Sequence, residues 1–142
     1  PLVAGDIVSG STTLATVDEP PSIDCGTSVT APGVWYEVLG TGNTMTASTC
    51  NDGDPATGGA NYDTKISVYC ADCEVKECIG GQDDSADCTG FSTKYSWPTQ
   101  EGRAYKVLVH GFSSKAKSPD NWSTPESFRC LRLGRRTASR IS

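Results

Sequence analysis

The sequence has one histidine, one methionine, three phenylalanines and no apolar run of 18 residues. The missing run removes any helical membrane span. A single histidine leaves little for acid–base or triad chemistry, because His110 would need a nucleophile and an orienting acid that no motif places beside it. No segment keeps a helical period and no internal repeat is visible, so helical bundles and solenoids are set aside. GTGNTM, residues 40–45, is glycine-rich but sits between two strand-like runs with no helix after it, and reads as a turn instead of a phosphate loop. Acidic residues are absent from the last 14 positions, where Arg129, Arg132, Arg135, Arg136 and Arg140 fall.

What is present is 142 residues with 15 glycines, 8 prolines and many serines and threonines, the composition of one turn-rich all-β domain. The net charge is −5, and without the five terminal arginines seven basic residues face 17 acidic ones, a balance of −10. Such a body repels nucleic acid and suits cations or extracellular surroundings. The basic end is either a solvated tail or a docking element for an acidic neighbour, including another copy of the chain. The chain opens at Pro1 with no apolar leader, as expected of a processed piece.

The organising stretch is PGVWYEVLGTGNTMTASTC, residues 32–50. Val34, Tyr36 and Val38 alternate with Trp35, Glu37 and Leu39, Gly40 to Asn43 permit a reversal, and a threonine-rich run returns, so a β-hairpin is expected. Residues 1–16 read as a first strand pair broken at Gly10, residues 18–32 as a loop anchored by Cys25, and residues 51–63 as a long surface loop. Thr64, Ile66 and Val68 share one strand face with Lys65, Ser67 and Tyr69 on the other. A short strand near Val75–Ile79 precedes the acidic turn GGQDDSAD. Phe91, Thr93, Tyr95 and Trp97 alternate with Ser92, Lys94 and Ser96. Tyr105, Val107 and Val109 form one row, with His110 on the outward row beside Lys106 and Leu108, and a last strand falls near Phe128–Leu133. Eight or so short strands separated by turns predict an antiparallel β-sandwich.

Seven cysteines, Cys25, Cys50, Cys70, Cys73, Cys78, Cys88 and Cys130, are too many for a reduced cytosol unless they bind metal. Six can form three disulfides and one is left, free or bridged to another subunit; spacing alone does not fix the pairing. Cys73 with Cys78 is the expected local bridge. A zinc site on Cys70, Cys73, Cys78 and Cys88 lacks the repeated paired spacing of a zinc ribbon, and CADC lacks the βαβ setting of a thioredoxin-like motif.

PGVWYEV (32–38), GTGNTMTASTC (40–50), YDTKISVY (62–69), CIGGQDD (78–84) and GRAYKVLVHGF (102–112), following the opening VSGST (8–12), together resemble the bacterial pre-peptidase C-terminal domain family and its relatives in secreted microbial and algal proteins. The likeness covers residues 1–133 and leaves 134–142 as a basic tail. It implies a jelly-roll-like, disulfide-stapled β-sandwich without catalytic residues, carried by extracellular proteins as an accessory, adhesive or repeated module. Some relatives bind calcium through acidic loops, and some bind collagen or polysaccharide. The basic FRCLRLGRRTASRIS departs from the family's apolar final strand, and no protease accompanies the module.

Asp63, Asp83, Asp84 and Asp87 are the candidate calcium ligands, with Asp52 and Asp54 near the same edge, because calcium takes many hard oxygens. The bland alternative is turn and capping aspartate, and neither loop has EF-hand order. Trp35, Trp97, Trp122, Tyr62 and Tyr95 are candidate sugar-stacking rings, although alternation places Tyr95 and Trp97 in the core. Asn121-Trp122-Ser123 is an N-glycosylation sequon, so Asn121 is the candidate glycan site. The combined expectation is a non-enzymatic, secreted or cell-surface module that needs no cofactor beyond a candidate calcium ion. Its expected partners are its own copies or extracellular matrix and polysaccharide; the alternative is a carbohydrate- or collagen-binding accessory of a larger secreted hydrolase.

Overall fold

The computed structural model describes residues 1–15, 24–51, 58–71, 77–113 and 127–136; in the last of these, Leu133 alone has a described side chain. Eight strands are present: β1 (Ile7–Ser11), β2 (Gly33–Leu39), β3 (Thr44–Ser48), β4 (Thr64–Cys70), β5 (Cys78–Gln82), β6 (Lys94–Pro98), β7 (Ala104–Gly111) and β8 (Ser127–Arg136). They form two antiparallel four-stranded sheets, ordered β1-β8-β3-β6 and β2-β7-β4-β5. The all-β sandwich expected from the strand pattern is therefore the fold, and the described residues contain no helix.

The core lies between the sheets. Val38, Ile66, Val68, Tyr105, Val107 and Val109 from one sheet meet Met45, Ala47, Trp97 and Leu133 from the other. Each is the inward member of an alternating row, which is why a period of two in the sequence translates into one buried face. Trp97 stacks with Tyr95 at 6.2 Å between centroids and meets Tyr105 edge-on at 6.1 Å, so aromatic bulk fills the centre that a methionine-poor chain cannot.

Pairings nest as β1·β8, β2·β7, β3·β6 and β4·β5, so only β4 and β5 are both consecutive and hydrogen-bonded. This overturns the hairpin expected over residues 32–50. β2 pairs with β7 and β3 with β6 and β8, so the segment crosses from one sheet to the other. Its corner is stapled to the matching corner between β6 and β7. Gly40 N–H donates to the Arg103 carbonyl (2.8 Å), Gly102 N–H to the Gly40 carbonyl (3.0 Å), and Thr99 Oγ1 to the Asn43 carbonyl (2.7 Å). A Cβ on Gly40 would lie 2.2 Å from the Gln100 carbonyl oxygen. The glycine that reads locally as a hairpin signal serves a close approach between two corners.

Other expectations shift in detail. The first strand pair expected over residues 1–16 does not form within the described residues 1–15: Leu2 bridges Val38 of β2, and β1 pairs with β8, with an irregularity between Val8 and Gly10. Phe91 lies before β6 and is 65% exposed, so the alternating row begins at Thr93. β8 runs to Arg136, opposite Thr44, and takes in residues 134–136 that the sequence reading assigns to the tail.

Candidate functional site

Two disulfides fix the loops. Cys25 pairs with Cys78 and Cys50 with Cys88, closing separations of 53 and 38 residues. Cys70 is disulfide-bonded as well. The Cys73–Cys78 bridge is therefore wrong, because residues 24–32 lie across the outer face of β5 and bring Cys25 to Cys78 (Cα–Cα 5.4 Å). A zinc site on Cys70, Cys73, Cys78 and Cys88 falls with it, since three of those sulfurs are oxidised. Cys73 and the Cys130 side chain lie outside the described residues, as do Asp52, Asp54, Asn121 and Trp122.

At one end of the sandwich the register of β4 and β5 builds a carboxylate cluster. Ile66 faces Gln82, the last residue of β5, so the start of β4 lies beside the chain that leaves β5. Asp63, just before β4, thereby meets Asp83 and Asp84, just after β5, with one oxygen of each within 4.8 Å of the others. Asp63 Oδ1 and Asp83 Oδ1 are shielded from water and have no hydrogen-bond partner. Burial raises the Asp63 carboxyl above its ordinary range, Asp84 and Asp83 raise it further, and Lys65 offsets part of this. Three crowded carboxylates, two of them with an orphaned oxygen, offer the hard donors that a cation of calcium's kind takes. Asp87 does not join them; it pairs with Lys94 at 2.7 Å.

Beside the cluster is an open groove of about 340 Å³, lined by Asn51, Ala60, Asn61, Tyr62, Asp63, Thr89, Gly90, Phe91 and Ser92. Its walls are held from below by the Cys50–Cys88 bridge and by an isolated bridge between Asn51 and Thr89. Asn51 N–H donates to Ser92 Oγ (3.2 Å), Asn51 Nδ2 donates to the Ala60 carbonyl (3.2 Å), and Ser92 Oγ donates to the Thr89 carbonyl (2.9 Å). Under this floor Thr49 and Thr64 share a buried hydroxyl contact of 2.7 Å. Asp63 belongs to both groove and cluster.

Of the candidate stacking rings, Tyr62 is in the groove. Trp97 is buried in the core with Tyr95 packed against it, and Trp35 packs on Tyr69 at 5.5 Å on the outer face. In the groove, sequence reasoning missed the exposed ring of Phe91, whose alternation with its neighbours mimicked a core position.

His110 lies on the outer row of β7 with Lys106 and Leu108, as the alternation implies, but it is fully buried there. Its Nε2 lies 3.2 Å from Ser67 Oγ, while Nδ1 has no partner. Burial, and then the Lys65 charge, push its pKa down to about 4. A serine–histidine pair is thus present that no motif announced, and no carboxylate among the described residues bonds the ring. Comparison with family models, curated proteins and solved structures finds no match for this chain.

Proposed function

We propose that the chain is a non-catalytic extracellular β-sandwich module, of the kind found in the pre-peptidase C-terminal family, that serves as a structural or adhesive subunit of a secreted assembly such as a matrix or surface filament. The observation that carries this reading is the groove and carboxylate cluster at one end of an oxidised sandwich. An interaction site is built there on loops pinned by a disulfide, and disulfides fit an oxidising compartment. The nested strand pairing supports the family likeness, which implies a jelly-roll-like order. Among the described residues no helix is long and apolar enough to cross a membrane.

In this reading Asp63, Asp83 and Asp84 hold a calcium ion. The ion would neutralise their mutual repulsion and lock the end of β4 to the end of β5, fixing one wall of the groove. Assembly is supported by β1, which forms an edge of its sheet, and by Val3 and Ile7 beside and within it, each 48% exposed. An odd count of seven cysteines leaves one without an internal partner. The non-catalytic reading is supported by Ser67 and His110, which are both buried under residues 24–32. Light scattering and electron microscopy of the oxidised chain, with calcium and with chelator, test the reading; a monomer under all conditions contradicts assembly.

A second reading, a saccharide- or collagen-binding accessory of a larger secreted hydrolase, is favoured by one observation. Phe91 and Tyr62 share the groove with Asn61 and Asp63, an apolar ring beside polar groups that suits a sugar or an extended peptide. A positive glycan array or collagen pull-down from protein that scatters as a monomer selects it.

A further inference from the structure

Part of the outer face of the β2-β7-β4-β5 sheet is closed to water. Residues 24–32 lie over it and create a second, smaller apolar cluster of Cys25, Val29, Trp35, Tyr69 and Leu108, separate from the main core. Covalent attachment is at one end, through Cys25–Cys78, where Gly26 is pressed so closely on Gly81 that a Cβ would meet its nitrogen at 2.1 Å. The other end runs into β2 at Gly33. Between them Val29 packs into the apolar cluster and polar contacts add to the hold. Lys65 Nζ, almost fully buried, donates to the Ser28 carbonyl at 2.7 Å and lies 3.3 Å from Ser28 Oγ and 3.4 Å from Thr30 Oγ1. Thr30 Oγ1 donates to the Phe112 carbonyl at 2.6 Å.

Beneath this strap, opposite Lys65 across the β4–β7 ladder, is His110. The charged groups around it are few. From β4 comes the Lys65 ammonium, which among the described residues is in ion-pair contact with no carboxylate, although its charge acts on Asp63. On β2 and β7, Glu37 and Lys106 neutralise each other at 2.7 Å, four residues along β7 from His110. Residue 33 of β2, which faces His110, is a glycine. The strap offers Ser28 and Thr30, with Asp24 at its far end beside Tyr69. Asp63, two residues before Lys65, belongs to the carboxylate cluster at the sheet's end.

We propose that residues 24–32 form an acid-sensitive strap: a proton on His110 places a second buried cation against Lys65, which has no carboxylate in ion-pair contact among the described residues, and the strap loosens while the sandwich stays closed. The division of the apolar residues into two clusters makes the release local, because lifting the strap uncovers Trp35, Tyr69 and Leu108 without opening the space between the sheets. The neutral imidazole tolerates burial and the imidazolium does not, which is also why the ring's pKa lies well below its ordinary value. Acidification thus becomes an exposed apolar face, at a site distinct from the groove.

The test uses the full chain with its disulfides intact. His110 is the one histidine, so its imidazole resonances are followed by NMR without ambiguity while amide hydrogen exchange is measured from pH 7 to pH 3.5 and corrected for intrinsic rates. Expected is a fall in the protection of the strap amides, on the order of 100-fold, with the midpoint at which the ring titrates, and constant protection for Val68 and Val107. His110→Gln, which keeps a polar side chain but takes no proton, is expected to flatten the strap's response. Three results overturn the proposal: constant strap protection while the ring titrates, simultaneous loss of strap and core protection, or an unchanged acid response in a folded His110→Gln.

Discussion

Thr99 Oγ1 donates to the Asn43 carbonyl at 2.7 Å and accepts the Thr41 N–H at 3.1 Å, so one buried hydroxyl joins the two corners at which the chain changes sheet. Neither corner has a hairpin partner of its own, and each leans on the other. Thr99→Val keeps the shape and removes both bonds, leaving the Thr41 N–H without its acceptor while the Asn43 carbonyl keeps the Thr99 N–H (3.2 Å). The expected cost is about 1–3 kcal/mol, read from denaturant unfolding, and Thr99→Ser is expected to restore most of it.

The carboxylate cluster makes a prediction with a definite sign. Asp63 has its carboxyl raised in the folded state, so the folded protein holds that proton more tightly than the unfolded chain. Its contribution therefore favours the fold at low pH and is lost as pH rises from the unfolded value through the folded one. Without calcium, Asp63→Asn is expected to melt at or above the wild-type temperature near neutral pH. With calcium the wild type is expected to gain stability and the variant to gain little. Melting curves with the ion and with chelator decide it.

His110 acts in the opposite direction. With a folded value of about 4 against an ordinary 6.5, the unfolded chain takes the proton first as pH falls. Stability contributed by the neutral ring is complete above the ordinary value and declines as pH drops toward 4. The full linkage amounts to about 3 kcal/mol, and His110→Gln is expected to remove that part of the acid dependence in unfolding curves between pH 7 and pH 4.

The two assigned bridges are expected to separate by effect. Removing Cys50 and Cys88 together, as serines, should loosen the groove walls and abolish ligand or calcium responses. Removing Cys25 and Cys78 should free the strap and leave the carboxylates in place. Each loss is expected to cost about 2–4 kcal/mol, measured by chemical unfolding under non-reducing conditions.

Most strands were legible because alternation of apolar and polar residues reports directly which face is buried; β5, expected near Val75–Ile79, spans Cys78–Gln82 and takes in Gly80–Gln82 that read as turn, because two glycines carry no alternation. Tyr105, Val107 and Val109 form the inward row their spacing implies. Alternation does not report which strand lies alongside. The turn at Gly40 to Asn43 satisfies hairpin chemistry locally, and only contact with residues 99–103, far along the chain, shows that it is a corner. His110 was assigned the correct face of β7 with the wrong surroundings, since nothing in residues 24–32 announces that they cover it. Asp63, Asp83 and Asp84 were recognisable as acids flanking strands, and the register of β4 with β5 brings them together. Asp87 looked equivalent, but Lys94 is at hand to neutralise it. Phe91 was misplaced because a two-residue rhythm continued past the point where the strand begins.

The most direct test of the account is the mass of the full-length, oxidised protein in solution, followed by light scattering as concentration rises in calcium and then in excess chelator. The account predicts particles that grow with concentration and shrink when the ion is withdrawn. A particle of one chain's mass throughout, indifferent to calcium, would contradict it.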